Sequence, residues 1–256
     1  MTGWLARIYL ALVYGLLYLP IGVLVVYSFN DAHTGYRWGG LSLRWYRALL
    51  TNDTLVQSMW NSLLLAFAAA TLSTLIGTLT ALALHRYRFR GRRLLQAMLF
   101  VVMMAPDIVL AISLLALFLV VGIKLGFVSL LLAHVTFCLP FVVITVAARL
   151  SGFDERLLEA ARDLGARELT RMRTVLLPVI MPAVLAGWLL GFTLSLDDVV
   201  VSTFVSGPGY EVLPLRIYSM VRVGLKPEVN ALGALLLAFS LLMLLWSQLL
   251  LTRGKR

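Results

Sequence analysis

The chain has 256 residues, of which 61% are hydrophobic and only 13% are charged. A soluble globular chain is nearer half apolar and a quarter charged, so this composition excludes a disordered chain, a coiled coil and an ordinary water-soluble enzyme. The net charge of +10 would suggest a nucleic-acid partner for a soluble chain, but in a membrane chain such an excess marks loops beside anionic lipid.

Six apolar stretches are long enough to cross a bilayer as helices, since a span needs about 20 predominantly apolar residues. In chain order they cover residues 8–29, 61–84, 94–123, 125–148, 174–198 and 229–252. Barrel strands would instead show segments of about ten residues with alternating hydrophobicity. We therefore predict an all-α integral membrane protein with six transmembrane helices, in which residues 1–256 form a single transmembrane domain.

The distribution of Lys and Arg predicts that both termini lie in the cytoplasm. In this orientation 15 of the 22 Lys and Arg residues fall in inside segments, and the other seven fall in outside segments. Cytoplasmic loops of membrane proteins carry such an excess of positive charge. Because the topology accounts for most of the net charge, we expect a lipid bilayer and no nucleic acid as the partner of these residues.

The first outside segment, residues 30–60, is rich in aromatic residues. These rings could offer cation–π faces to a cationic solute, or they could form a belt at the membrane interface. We favour the belt for Tyr36 and Trp38, and both interpretations stay open for Trp45.

Motifs of nucleotide, metal and hydrolytic chemistry are missing from the sequence. There is no G-x-x-x-x-G-K-[ST], so the chain should not bind ATP through a P-loop. The three histidines, His33, His85 and His134, fall in three different predicted regions, and no metal cluster is expected. His134 is interpreted as a core or helix-packing residue. We predict a chain that is not an enzyme and has no catalytic residue, metal or cofactor of its own.

Three carboxylates lie within or at the ends of the spans, where acidic side chains are costly and are functional candidates. They are Asp107, Asp197 and Asp198, and none has a Lys or Arg one helical turn away. At a rise of 1.5 Å per residue, Asp197 lies roughly 28 Å and Asp107 roughly 20 Å from the inside face. We predict an outer gate for a cation, formed by these residues with Ser195 and Trp45.

Plainer interpretations of the same residues remain open. Asp107 follows Pro106 and could cap a broken third helix. Asp197 and Asp198 could end the fifth span at the interface and be solvated. Ser195 could bond the carboxylates or, more commonly, the i−4 carbonyl of its own helix.

The inside loop, residues 149–173, is the most informative segment. From Asp154 the sequence reads DERLLEAARDLGARELTRMRTVLLP. Apolar residues recur here at helical spacing, at Leu157, Leu158, Ala161 and Leu164. Gly165 can take a positive φ, which would end one helix and turn the chain into the next. We predict a helix-turn-helix that is either a solvated amphipathic loop or a docking element for a cytoplasmic partner.

This loop resembles the EAA motif of ABC-importer permeases, E-A-A-x3-G-x9-I-x-L-P, with Val175 in place of Ile. The matching residues are Glu159, Ala160, Ala161, Gly165, Leu177 and Pro178. In that family the loop is the coupling helix, which docks on the ATPase subunit. The resemblance implies this coupling role for Glu159, Ala160, Ala161 and Gly165, within a segment that ends at Glu168.

Segments along nearly the whole chain are also similar to permease subunits of spermidine/putrescine importers, among them SLDDVVVS at residues 195–202. The resemblance implies the type I ABC-importer (MetI-like) permease fold, in the bacterial inner membrane. It also implies a second permease subunit, an ATPase dimer that binds ATP and Mg²⁺, and a periplasmic polyamine-binding protein. Two alternatives remain: a permease for another small cationic solute, and a cation-coupled secondary transporter, which would have no use for the EAA loop.

Overall fold

The computed structural model describes residues 3–32, 37–223, 227–238 and 241. Within these residues the chain is helical, and its one pairing of extended segments is an isolated antiparallel bridge between Asn30 and Leu41. The helices in chain order are α1 (Gly3–Tyr27), α2 (Arg44–Leu50), α3 (Asp53–Arg86), α4 (Arg92–Met104), α5 (Asp107–Val121), α6 (Phe127–Ser151), α7 (Arg156–Asp163), α8 (Glu168–Arg171), a π-helical turn (Met172–Leu176), α9 (Leu177–Asp197), α10 (Val200–Val205), α11 (Leu213–Val223) and α12 (Pro227–Ala238).

Four of the described helices are long and apolar enough to cross a membrane. They are α1, α3, α6 and the run Glu168–Asp197, which joins α8, the π-helical turn and α9. The pair α4 and α5 meets the same criteria together, so the number rises to five if this pair forms one span. The helix α12 begins the predicted stretch 229–252, of which residues 239, 240 and 242–252 lie outside the described part of the chain.

The predicted third span, residues 94–123, is not one continuous helix. α4 ends at Met104, α5 begins at Asp107, and the pair is bent by 116°. Pro106 has no N–H to donate and disfavours helical backbone at the preceding residue; accordingly, Ala105 is extended, with φ −65° and ψ 136°. The depth estimated for Asp107 assumed a straight helix from Leu94 and is therefore wrong.

Contacts group the described chain into two units. The first comprises residues 58–215, and within it α6 carries two apolar clusters. One cluster joins Leu130 and Ala133 to side chains of α5 and α10, and the other joins Val142 and its neighbours to side chains of α3 and α9. Between these clusters along α6 lies His134, which is 1% exposed. The helix thus places a polar side chain between two apolar layers.

In the same unit, α3 and α6 approach closely where Gly77 faces Val142. A Cβ atom added at Gly77 would lie 2.8 Å from Cγ1 and 3.0 Å from Cβ of Val142. Small residues allow such close approach of helices in membranes, where packing rather than the hydrophobic effect drives association. The absence of a side chain at position 77 is therefore a packing requirement.

The second unit contains the described residues of 1–57 and 216–256, and in it Asn30 organises the segment after α1. The Asn30 side chain is fully buried, donates to the Arg37 carbonyl at 2.6 Å and accepts the Gly39 N–H at 2.7 Å. The indole of Trp45, on α2, donates to the Asn30 carbonyl at 2.8 Å. Trp45 is 7% exposed, so its ring anchors this segment.

The two other aromatic residues considered for the membrane belt differ in what can be said of them. Trp38 packs edge-on against Tyr27, with ring centroids 6.0 Å apart, and is half exposed. Tyr36 lies outside the described residues. The belt therefore stays a prediction for both.

Candidate functional site

The acidic pair Asp197–Asp198 lies at a break between two helices. α9 ends at Asp197, Asp198 is extended with φ −69° and ψ 125°, and α10 begins at Val200. Asp197 is exposed, whereas the Asp198 side chain is 6% exposed. The break therefore places two neighbouring carboxylates in different environments.

Asp198 caps α10. Its two carboxylate oxygens accept the backbone N–H of Val201 at 3.1 Å and that of Ser202 at 2.7 Å. A side-chain oxygen at the start of a helix satisfies donors that have no partner within the helix, and a negative charge is favourable there. The interpretation of Asp198 as a solvated helix end is wrong, because its carboxylate is buried and bound. Asp197 is the member of the pair whose side chain is exposed.

His134 connects α6 to both sides of this break. Its Nδ1 lies 2.7 Å from Oγ of Ser195, in the last turns of α9, and its Nε2 lies 3.2 Å from Oγ of Ser202, on α10. The Nε2 atom also lies 3.6 Å from a carboxylate oxygen of Asp198. Both ring nitrogens are thus within hydrogen-bond distance of a serine hydroxyl, which can donate or accept.

The cluster of His134, Ser195, Asp198 and Ser202 was only partly predicted. Ser195 was expected to bond a carboxylate or its own helix, and its hydroxyl is instead bonded to His134. A signal was present, because positions 195, 198 and 202 have the i, i+3, i+7 spacing of one helix face. Nothing in that spacing indicates that the partner lies 61 and 68 positions away in the chain.

Asp107 is the first residue of α5 and is exposed. It follows Pro106, and its carboxylate lies in the first helical turn, where the helix dipole favours negative charge. The structure thus agrees with a break in the predicted third span, after which a helix starts at Asp107. α5 continues into the apolar cluster that holds Val201 and Val205 of α10, so the helix that carries Asp107 packs against the helix that Asp198 caps.

The loop between α6 and α9 forms the predicted helix-turn-helix. α7 ends at Asp163, and Gly165 has φ +78°. The N–H of Gly165 donates to the Arg162 carbonyl at 2.8 Å, and the N–H of Ala166 donates to the Ala161 carbonyl at 3.0 Å. These two bonds form a Schellman motif, in which a left-handed residue ends the helix. The turn at Gly165 that the sequence predicts is confirmed.

The residues of the EAA pattern face outward. Glu159 and Ala160 are exposed, and Ala161 is half-buried. Beside the turn, Leu164 is 89% exposed.

Glu168 connects this loop to the end of α3. Its Oε1 lies 2.9 Å from Nη2 of Arg86, and Nη1 of the same arginine contacts Sδ of Met172 at 3.6 Å. Beside this pair, Nε2 of His85 lies 3.7 Å from Oε1 of Glu155. A cavity of about 230 Å³ is lined by His85, Arg86, Glu155 and Met172.

The family comparison covers most of the chain. Residues 73–256 match the family described as binding-protein-dependent transport system inner membrane component. The chain is similar to the spermidine/putrescine transport system permease protein PotC of Escherichia coli K12, with 60% identity over 94% of this chain and 92% of the relative. It is also similar to the putrescine transport system permease protein PotI of the same organism, with 43% identity over 86% of this chain and 81% of the relative.

Solved structures share the fold. A chain of a bacterial ABC transporter involved in the import of the acidic polysaccharide alginate has a TM-score of 0.73 and 16% identity, covering 98% of this chain and 95% of that one. A chain of the MetNI methionine ABC transporter, in an inward-facing conformation, has a TM-score of 0.64 and 20% identity, covering 78% of this chain and 95% of that one. At these identities the likeness concerns the fold, which is that of ABC-transporter membrane subunits.

Proposed function

The chain belongs to the family of binding-protein-dependent transport system inner membrane components, and from this premise we propose that it is a permease subunit of an ATP-driven importer of the polyamines spermidine and putrescine. The observation that carries the substrate is the 60% identity to a spermidine/putrescine permease over 94% of the chain. Because the similarity extends over nearly the whole chain, it covers the residues that would line a pathway as well as the helices. We therefore expect the two proteins to transport the same class of substrate.

The proposed topology has six spans and both termini in the cytoplasm of the cell, with the protein in the bacterial inner membrane. Four long helices and the bent pair of α4 and α5 supply five spans, and the apolar stretch that begins with α12 supplies the sixth. The excess of Lys and Arg in the predicted inside segments supports this orientation.

The loop of residues 149–173 is the proposed coupling element to an ATPase dimer. Its exposed residues Glu159, Ala160 and Leu164 can enter a groove of that partner, with Ala161 at their edge. Gly165 shapes the turn, and Glu168 ties the loop to α3 through Arg86. The partner would bind ATP and Mg²⁺ and perform the hydrolysis, while this chain contributes no covalent chemistry.

The proposed pathway depends on carboxylates that a polycation can reach. Asp107 and Asp197 are exposed. Charged side chains in membrane segments are energetically costly, which makes them candidates for contact with a substrate. Ser195 and Asp198 lie behind Asp197 and hold the α9–α10 break rather than contacting the solute. Trp45 stays a proposed member of the pathway, and its indole is buried and donates to the Asn30 carbonyl.

The complex proposed for transport contains further chains. A second, non-identical permease completes the pathway, and a periplasmic binding protein delivers the polyamine to the segments Asn30–Trp60 and Val199–Glu228. Closure of the ATPase dimer moves the coupling loop, and the pathway opens alternately to the two sides of the membrane.

Uptake by the assembled complex tests this function. Labelled spermidine would be supplied with its binding protein to cells or vesicles that have no other polyamine importer, with and without ATP. Unlabelled putrescine should compete, and an unrelated amino acid should not. Absence of ATP-dependent polyamine uptake, in a complex whose ATPase responds to its binding protein, would remove the substrate assignment.

A further inference from the structure

We propose that His134 is a positioning residue for transport: it fastens α6 to both sides of the α9–α10 break and so fixes the direction in which Asp197 presents its carboxylate to the substrate. The inference rests on the proposed function, because it assigns Asp197 a cationic solute. It assigns His134 no contact with that solute. The histidine is 1% exposed, and the Asp198 side chain beside it is 6% exposed, so neither offers a free surface.

The geometry that carries the inference is the double contact of the imidazole ring. Nδ1 lies 2.7 Å from Ser195 Oγ, which is two residues before the end of α9. Nε2 lies 3.2 Å from Ser202 Oγ, which is in the first turns of α10. Among the described residues, the His134 side chain lies within hydrogen-bond distance of side chains on both helices that flank the break. A rotation of either helix about the break would lengthen one of the two contacts.

The break needs such a fastening because α10 is short. It has six residues, and isolated helices shorter than about 12 residues are marginal without tertiary contacts. Two further contacts hold α10 to the same unit: Ser129 Oγ, on α6, donates to the Val205 carbonyl at 2.8 Å, and Val201 and Val205 lie in the apolar cluster with α5. These contacts secure the body of α10, whereas His134 secures its junction with α9.

The same arrangement explains why Asp198 is unavailable to a substrate. Its two oxygens accept the N–H groups of Val201 and Ser202, and one of them faces His134 Nε2 at 3.6 Å. A carboxylate has about four lone-pair sites, so it is the burial of the Asp198 side chain, 6% exposed, that keeps an ammonium group away from it. Asp197 directly precedes Asp198 and is exposed. The direction of its side chain is set by the backbone at the break, which the contacts of His134 and Asp198 hold in place.

Transport kinetics give the first test. His134→Leu removes both hydrogen bonds, whereas His134→Gln keeps one acceptor and one donor on a polar side chain. Thr136→Ala is the matched control on α6, because Thr136 is only half-buried and its hydroxyl donates to the Leu132 carbonyl of its own helix. Normalised to the amount of assembled complex, we expect the maximal rate of spermidine uptake to fall about tenfold in His134→Leu, equal to about 1.4 kcal/mol of activation free energy.

The conservative variant should recover most of the rate, and the half-saturating concentration should change little in either variant. Wild-type rates in the assembled His134→Leu complex would overturn the inference. So would a failure of His134→Gln to exceed His134→Leu.

A second measurement does not depend on the substrate. Asp197→Cys in a Cys138→Ala background gives a chain with a single thiol, at the position whose direction is in question. The rate at which a membrane-impermeant maleimide labels the assembled complex is compared with and without His134→Leu, with Thr136→Ala as the reference. We expect His134→Leu to change the labelling rate, because the end of α9, which bears residue 197, is no longer bonded to α6.

An unchanged labelling rate would overturn the positioning role even if uptake falls, since a merely destabilised complex would lose abundance rather than geometry at residue 197. Conversely, a wild-type complex that takes up no polyamine would refute the proposed function alone. The labelling comparison would still decide whether His134 holds the break.

Discussion

Arg86 and Glu168 form an ion pair that joins the end of the 34-residue helix α3 to the start of α8, with 2.9 Å between Nη2 and Oε1. The two side chains are 31% and 57% exposed, so the pair contributes no more than about 1 kcal/mol to the stability of the protein. Its position is more informative than its energy, because it links the loop proposed to meet the ATPase to a helix that continues as far as Asp53. We interpret it as a mechanical connection between the loop and the membrane helices.

Charge reversal tests this connection. Arg86→Glu and Glu168→Arg each place like charges together, and we expect each to lower ATP-dependent uptake by roughly threefold to tenfold, within the range of measured coupling energies. The double variant restores opposite charges and should recover more than half of the wild-type rate. Uptake and ATP hydrolysis are measured on the same membranes. Additive losses in the double variant would contradict the interpretation.

The acidic pair leads to two different expectations for neighbouring residues. Asp197→Asn removes an exposed charge, and we expect it to reduce polyamine uptake strongly without lowering the melting temperature of the purified complex. Asp198→Ala removes the cap of α10, and we expect a loss of about 1 kcal/mol of stability together with reduced uptake. Thermal unfolding and uptake are measured for both variants.

Asp154→Asn is a control for the loss of one negative charge, because its amide oxygen can still accept the Arg156 N–H that Asp154 accepts at 3.0 Å. If Asp197→Asn and Asp154→Asn behave alike in uptake, the exposed carboxylate has no special part in transport. If Asp198→Ala melts like the wild type, the capping contacts are not stabilising.

The turn of the coupling loop offers a purely conformational test. Gly165 has φ +78°, and an added Cβ would meet no atom within 4 Å, so a substitution there acts through the backbone alone. A β-branched residue is strongly disfavoured in the left-handed backbone conformation, whereas Asn tolerates that conformation. We expect Gly165→Val to lose uptake while ATP hydrolysis persists, and Gly165→Asn to keep most of both. Equal uptake in the two variants would show that the left-handed turn is not needed for coupling.

Sequence patterns predicted this turn because its cause is local: one glycine, placed where a helix ends, accounts for both the positive φ and the change of direction. The break in the third span was also local, at Pro106, yet the hydrophobic run through it suggested a continuous helix. An apolar run shows that a segment is long enough to cross a membrane, but it does not show whether the helix is bent. The proline was the better indicator of backbone geometry.

The buried cluster could not be predicted in the same way. Ser195, Asp198 and Ser202 lie on one face by their spacing, but the side chain that they meet belongs to α6 and is distant in sequence. Treating Asp197 and Asp198 as neighbours on one helix also hid the difference between them. Their environments differ because the helix stops at Asp197 and the chain continues into α10, which packs against α5 and α6.

Close packing of α3 against α6 leads to the last expectation. A Cβ at position 77 would lie 2.8 Å from Val142 Cγ1 and 3.0 Å from Val142 Cβ, and because the second atom belongs to the side-chain stem, a change of rotamer cannot relieve the contact. We expect Gly77→Ala to lower the free energy of unfolding by about 1–3 kcal/mol, the usual cost of overpacking. Gly15→Ala is the matched control, since an added Cβ there meets no atom within 4 Å. Val142→Ala should rescue Gly77→Ala only in part, because it removes the Cγ1 contact and leaves the 3.0 Å contact with the Cβ atom of residue 142. Thermal unfolding of the complex measures Gly77→Ala, Gly15→Ala and the double variant Gly77→Ala/Val142→Ala. Equal stabilities of the Gly77→Ala and Gly15→Ala complexes would mean that the two helices can separate without cost, and the close approach at Gly77 would then have no structural importance.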